Sequence, residues 1–199
     1  MKTSRILLLL PLLLLTACGG GELVGVHIAL ADNGTGTVTA RALVEPESNR
    51  AEAAIQGVGW TPNGRAALLA SQGTFQQLSD VVIGGSGGLR FSPTLGGEQP
   101  SVRVYVPRGP NVDWLRALVP DRATRVRLAK VYDPSGKTRE AGELIRIELE
   151  VPGDVVASAV HPTGRGVEAD RERKRAFLLL PARTIAEGGE ELVWDITWR

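Results

Sequence analysis

The sequence is poor in the side chains that most often build catalytic and metal sites. Its 199 residues include one cysteine and two histidines. One cysteine excludes an internal disulfide and a multi-cysteine metal cluster. The histidines, His27 and His161, share no His-x-His or His-x-x-x-His spacing. We expect His27 on the outer face of a strand and His161 in a turn, and we predict no metal site and no cofactor.

Catalytic motifs are equally scarce, and the chain is predicted not to be an enzyme. The run Gly84–Gly88 has glycines at the spacing of a Gly-x-Ser-x-Gly elbow around Ser86. That elbow needs a strand before the serine and a helix after it, whereas glycines surround Ser86, which favours a flexible loop. A hydrolase would need Ser86 or a histidine within hydrogen-bond reach of the others and of a carboxylate.

An excess of charge of one sign is also missing. Lysine and arginine total 23 and aspartate and glutamate 22, so the formal net charge is +1. General nucleic-acid binders carry a strong basic field. No nucleic-acid partner is therefore predicted.

A long apolar run occurs once, at the N-terminus, and has the three parts of a secretory signal. Lys2 and Arg5 precede the apolar residues 6–15, and the small residues Thr16 and Ala17 follow. A transmembrane helix needs about 20 apolar residues, and this run is shorter and contains Pro11. The segment is predicted to be a cleaved signal peptide.

The end of this signal, Leu15-Thr16-Ala17-Cys18, resembles the bacterial lipobox. The resemblance implies diacylglyceryl transfer to the Cys18 thiol and cleavage between Ala17 and Cys18. At least two acyl chains give stable membrane attachment. The remaining 182 residues carry 21 basic and 22 acidic side chains. We expect a protein anchored through Cys18 to the cell membrane or outer membrane, facing the periplasm or exterior.

The domain plan that follows is a signal peptide at 1–17, a lipidated cysteine and tether at 18–22, and one domain at 23–199. The expected class is α+β, a mostly antiparallel β-sheet with two or three short helices. Helices are predicted at 50–56, 75–82 and 112–118. Strands are predicted at 23–30, 37–44, 89–92, 102–106, 126–132, 145–151, 155–160, 176–180 and 192–198, while 65–72 fits either type.

Several short motifs along this plan resemble bacterial LppM-type lipoproteins. They are Asp32-Asn-Gly-Thr-Gly36, Phe75-Gln-Gln-Leu-Ser-Asp80, Glu148-Leu-Glu-Val-Pro-Gly153 and Leu192-Val-Trp-Asp-Ile196. The resemblance implies an α+β envelope domain for which lipid or glycolipid binding has been proposed, with no catalytic residues. Some members end in a transmembrane helix, whereas this chain stops at Arg199 after a predicted strand.

Two groups of side chains are the candidate binding residues. Trp194 and Trp198 share one face of the last predicted strand and are candidates to line a groove for an apolar or sugar-bearing ligand. A locally basic stretch is a candidate for contact with lipid headgroups, since charges beside anionic lipid each add about 1 kcal/mol. Its members are Arg171, Arg173, Lys174 and Arg175.

The predicted function is non-enzymatic binding of a lipid, glycolipid or other apolar envelope ligand by a membrane-anchored lipoprotein. The alternative is a scaffold lipoprotein in envelope assembly that binds an envelope protein partner. The first predicts a cavity beside Trp194 and Trp198, and the second predicts an exposed apolar patch or unpaired sheet edge.

Because Cys18 is the sole cysteine and no later run is long enough to span a bilayer, Cys18→Ser is expected to release the protein from its membrane. Cell fractionation followed by a high-salt wash measures this. A variant that stays wholly with the membrane fraction would contradict the predicted lipid anchor.

Overall fold

The computed structural model describes residues 22–42, 55–61, 69–85, 87–110, 112, 123 and 144–199. The predicted signal peptide, Ala17 and Cys18 lie outside the described residues. So do the strand predicted at 126–132 and most of the helices predicted at 50–56 and 112–118.

The described residues form thirteen strands, most of them short. In chain order these are β1 (Glu22–Leu30), β2 (Gly36–Ala42), β3 (Ile55–Gln56), β4 (Gly59–Thr61), β5 (Leu69–Phe75), β6 (Val82–Ile83), β7 (Leu89–Thr94), β8 (Ser101–Val106), β9 (Leu144–Glu150), β10 (Val155–His161), β11 (Glu168–Glu172), β12 (Arg175–Pro181) and β13 (Leu192–Trp198).

These strands make two sheets in the described part of the chain. The first sheet has the order β11-β12-β9-β1-β2-β5-β4, and the second has the order β10-β13-β8-β7-β6-β3. Alternate apolar side chains of both sheets enter one core, as period-two strands require. Buried members from the first sheet include Val26, Ile28, Val38, Ile147, Leu149 and Leu178, and those from the second include Leu89, Phe91, Val104, Trp194 and Ile196.

The opening hairpin is confirmed, and so are the strands predicted in the last third of the chain within the described residues. β1 pairs antiparallel with β2, from Val24 opposite Ala42 to Leu30 opposite Gly36. Asn33 closes the turn, since its Oδ1 accepts hydrogen bonds from the backbone N–H and the hydroxyl of Thr35 at 3.1 and 2.7 Å. Local turn chemistry therefore sets this register.

The sheet was expected to be mostly antiparallel, and the strand predicted at 145–151 meets this expectation on one side only. β9 pairs antiparallel with β12 but parallel with β1, with Val26 opposite Ile147 and Ala29 opposite Glu150. Residues 31–143 separate these two parallel strands along the chain. Alternation along β9 predicts which face is buried, but it carries no information on which strand lies alongside.

The expected α+β class is wrong for the described residues, which are strand-rich. Apart from the single helical position Ala123, helix there is limited to α1 (Ala182–Ala186) and a 3-10 turn at Leu78–Asp80. The helix predicted at 75–82 is this turn flanked by β5 and β6. The spacing of Phe75, Leu78 and Val82 predicted one helix face; Phe75 and Leu78 are buried, whereas Val82 is only half-buried. Leu78 is the buried residue of the three-residue turn.

Four further elements were missed, namely β3, which takes the place of the end of the helix predicted at 50–56, and β4, β11 and α1. β11 lies in a polar stretch where no strand was predicted, because an exposed edge strand lacks the apolar alternation used to recognise strands. α1 follows Pro181, whose φ of −63° suits a helix start, and it buries Ile185. Within the described residues, no helix is both long and apolar enough to cross a bilayer.

The inward and outward faces of β12 give a matched test of this architecture. Leu178 is fully buried, whereas its neighbour Leu179 is only half-buried on the opposite face. Leu178→Ala should lower the free energy of unfolding by about 2–5 kcal/mol, because it leaves a cavity in the shared core. Leu179→Ala should cost about 1 kcal/mol. Urea unfolding measures both, and equal costs would contradict the two-sheet packing.

Candidate functional site

The predicted basic stretch folds into the β11–β12 hairpin, and its turn is Arg173-Lys174. Glu172 pairs with Arg175 across this two-residue turn. Arg173 has a φ of 51°, in the left-handed region that side chains with a Cβ rarely adopt. An arginine here costs backbone energy that a glycine would not.

The turn is held by the link between the two sheets. The carbonyl of Arg173 accepts a hydrogen bond from the N–H of Val155 at 2.7 Å, and the carbonyl of Lys174 accepts one from the N–H of Val151 at 2.8 Å. Val151 follows β9 in the first sheet and Val155 begins β10 in the second. The backbone of the turn is therefore fixed by hydrogen bonds to a residue at each of the two sheets.

Arg171 has a structural role in this arrangement. Its Nη1 donates to the carbonyl of Val155 at 3.0 Å and to the carbonyl of Val156. β10 stands at the end of the second sheet in the described part of the chain, and the outward carbonyls of such strands need partners. The guanidinium of Arg171 is the hydrogen-bond partner of two of these carbonyls, and its role is therefore to satisfy the edge of the second sheet.

The other three predicted basic residues line a surface pocket of about 350 Å³. Arg173, Lys174 and Arg175 share it with Glu150 and Glu172. Its volume lies at the lower end of the range for small-molecule sites. Sequence reasoning missed Glu150, which reaches the pocket because Arg175 pairs with it across β12 and β9.

Arg175 is fixed by contacts on several sides. Its Nη2 lies 3.3 Å from Oε2 of Glu172 and its Nη1 lies 3.4 Å from Oε1 of Glu148. Its guanidinium also lies 5.7 Å from the ring centre of Phe177, and Arg146 lies 4.7 Å from the same ring. Its charge is already balanced by carboxylates, and it serves as a rigid wall of the pocket.

Arg173 and Lys174 differ from Arg175 in their charge balance. Neither side chain has a carboxylate within ion-pair distance among the described residues. Two adjacent cations with no balancing anion repel each other, and a bound anion relieves that repulsion. Both are hydrogen-bond donors suited to phosphate oxygens.

Glu150 also lines the pocket, directly across from Arg175 on β9, and it lies close to His27. Its Oε2 lies 3.3 Å from Nε2 of His27, which also lies 3.9 Å from Oε1 of Glu148. The Nε2 atom is buried, and neither contact has hydrogen-bond geometry. His27 therefore faces outward from β1, as predicted, beside two carboxylates.

The pocket lies at the end of the first sheet that is far from Glu22. β1 starts at Glu22, opposite Leu144, and reaches the level of the pocket where Ala29 lies opposite Glu150. Seven residue steps lead from Glu22 to Ala29, a length of about 23 Å at about 3.3 Å per residue. Glu22, the first described residue, and the pocket thus lie at opposite ends of β1.

Trp194 and Trp198 are core residues in this structure. Trp194 is 0% exposed and Trp198 is 4% exposed. The indole Nε1 of Trp194 donates to Oγ of Ser158 at 3.0 Å, which satisfies its polar atom as buried tryptophan requires. The two tryptophans lie on one face of β13, as expected, but that face packs between the sheets.

The outer face of the second sheet carries a bidentate ion pair. Arg103 donates from Nε and Nη2 to the carboxylate of Asp195 at 2.7 and 3.2 Å, across β8 and β13. The hydrogen bond and charge of Asp195 raise the pKa of Arg103 above its ordinary value, with Tyr105 contributing. The pair is exposed, so it adds little stability.

Other predicted positions lie apart from the pocket or outside the description. His161 is exposed at the end of β10. Ser86 and Cys18 are outside the described residues, so a hydrolytic group that uses Ser86 stays a hypothesis. Among the described residues, no three His, Cys, Asp or Glu side chains are grouped to hold a metal ion.

Comparisons with known proteins show a weak structural similarity. No protein-family model matches the chain, and no curated protein matches it. A solved structure that resembles it is the NMR structure of the folded domain of the Mycobacterium tuberculosis LppM protein. That match has a TM-score of 0.41 and 11% identity, covering 90% of this chain and 91% of the other. A similarity this distant defines neither fold nor function.

Removing the hydroxyl that satisfies Trp194 tests its place in the core. Ser158→Ala should lower the free energy of unfolding by about 1–3 kcal/mol, because it leaves the buried indole N–H without an acceptor. Ser92→Ala on the exposed face of β7 is the matched control and should change stability by less than about 0.5 kcal/mol. Chemical denaturation measures both, and equal effects would show that the bond does not matter.

Proposed function

We propose that this chain is a membrane-anchored lipoprotein of the bacterial envelope, and that its pocket at the β11–β12 turn binds the polar headgroup of an envelope lipid or glycolipid. The proposed role is non-enzymatic binding. The observation that carries it is the pair of unbalanced cations, Arg173 and Lys174, on a rigid turn that lines a pocket of about 350 Å³.

Rigidity of the turn supports this function. Because backbone bonds from Val151 and Val155 hold the turn, binding does not have to pay for ordering the loop, and preorganised sites bind more tightly. Hydrogen bonds from charged donors to phosphate oxygens contribute about 1.5–3 kcal/mol each. Headgroups of envelope lipids and glycolipids offer such oxygens or sugar hydroxyls.

The position of the pocket on β1 supports a ligand that lies beyond the domain. The four residue steps from Cys18 to Glu22 span at most about 14 Å, and β1 adds about 23 Å between Glu22 and the pocket. In an orientation with β1 upright on the predicted tether, the pocket would lie on the side of the domain away from the anchoring bilayer. The proposed ligand is therefore presented from beyond the domain, and the protein links its own membrane to that ligand.

Arg173→Gly tests the pocket without disturbing its backbone. Glycine adopts a φ of 51° at lower cost than arginine, so the variant should fold at least as stably while losing one charge. Near an anionic surface, one charge is worth about 1 kcal/mol, or about fivefold in affinity. The assay holds the lipidated full chain in phosphatidylcholine nanodiscs and measures co-flotation with vesicles of total bacterial polar lipid.

Arg165→Gly is the matched control for that assay. Arg165 is also an exposed arginine with positive φ, at 54°, and does not line the pocket. We expect Arg173→Gly and Lys174→Ala each to lower vesicle capture about fivefold, and Arg165→Gly to leave it unchanged. No capture by the unaltered protein, or equal losses in all three variants, would overturn the proposed function.

A further inference from the structure

We propose that the pocket at the β11–β12 turn selects a zwitterion, namely a phosphate ester joined through a short linker to a primary ammonium group. A phosphoethanolamine headgroup has this chemistry. The inference rests on the proposed headgroup-binding function and specifies the ligand of the same site. Arg173 and Lys174 hold the phosphate, and Glu150 holds the ammonium.

The cationic half of the pocket comes from its turn. Arg173 and Lys174 are adjacent, exposed and without a carboxylate partner in the described part of the chain, whereas Arg175 is already paired with Glu172 and Glu148. The turn therefore offers two cations to one phosphate group. A phosphate ester accepts bonds from both, because it has several unesterified or anionic oxygens.

The acidic half comes from β9. The Glu150 side chain is 47% exposed, and its contact with His27 at 3.3 Å lacks hydrogen-bond geometry. Its carboxylate oxygens are thus accessible acceptors on a pocket wall. A purely anionic ligand would be repelled by this carboxylate at close range, while a ligand that also carries an ammonium group gains an ion pair from it.

The lining favours a primary ammonium over a quaternary one. Quaternary ammonium groups lack N–H donors and are recognised by open aromatic faces. The described lining contains no aromatic ring, and the nearby Phe177 ring is already in contact with the guanidinium groups of Arg146 and Arg175. A carboxylate such as Glu150 instead accepts hydrogen bonds from the N–H donors of a primary ammonium.

The direction in which one substitution changes the affinity for each of two ligands tests this proposal. Glu150→Gln removes the charge of the pocket carboxylate that is not paired with Arg175 and keeps the shape of the pocket. For glycerophosphoethanolamine, affinity should fall about tenfold, the loss expected for one charge-assisted bond. For glycerophosphate, the same variant should bind more tightly, because repulsion is removed. Titration of the detergent-solubilised full chain, followed by calorimetry or NMR, gives both dissociation constants.

Glu168→Gln is the control for net charge. Glu168 is exposed on β11, has no ion pair among the described residues and does not line the pocket. This variant should change neither dissociation constant. The unaltered protein should also bind glycerophosphoethanolamine more tightly than glycerophosphocholine or glycerophosphate.

The remaining outcomes separate this inference from the proposed function. If glycerophosphate binds most tightly and Glu150→Gln strengthens both probes, the zwitterion proposal is overturned while headgroup binding stands. If Arg173→Gly also leaves every probe and vesicle unaffected, both are overturned.

Vesicles identify the source of the zwitterion. Capture of phosphatidylethanolamine vesicles, but not phosphatidylglycerol vesicles, by the nanodisc-held chain supports a membrane headgroup. Binding of glycerophosphoethanolamine without vesicle capture supports a free zwitterion.

Discussion

Two backbone hydrogen bonds at the β11–β12 turn are the constraint on which this structure depends. They connect the turn to Val151 and Val155, the two ends of the link between the sheets. Burial of the shared core stabilises the packing of the two sheets, but this interaction is non-directional and does not fix their relative orientation. The turn fixes one edge of each sheet relative to the other, and the guanidinium of Arg171 closes the same edge. The candidate pocket is formed on this junction.

Basic residues that are neighbours in sequence have different partners at this junction, because their side chains point in different directions. Arg171 faces the carbonyls of β10, and Arg175 faces the carboxylates of β9 and β11. Arg173 and Lys174 occupy the turn, where the described strands place no carboxylate within ion-pair distance. One basic stretch thus contains a structural residue, Arg171, a paired residue, Arg175, and two cations without a carboxylate partner among the described residues. Only those two cations hold the ligand in the proposed binding.

The predictability of each element followed the range of the interaction that stabilises it. The β1–β2 hairpin was predictable because Asn33 and Gly34 form its turn from local residues. The inward faces of β9 and β13 were predictable because alternation repeats every two residues. The parallel pairing of β1 with β9 was not, since it joins residues more than 110 positions apart. The 3-10 turn was mistaken for a helix because Phe75, Leu78 and Val82 have helical spacing, although Phe75 ends β5 and Val82 begins β6.

The sequence by itself determined the alternating strands, the outward position of His27 and the basic stretch, and it carries the lipobox resemblance at Cys18. Only the tertiary structure decided that Trp194 and Trp198 lie in the core, because two sheets cover the face that one sheet would expose. Likewise, only the register of β9 against β12 brought Glu150 to Arg175. Secondary-structure preferences depend on residues that are neighbours in sequence, whereas a pocket depends on which distant strands pack together.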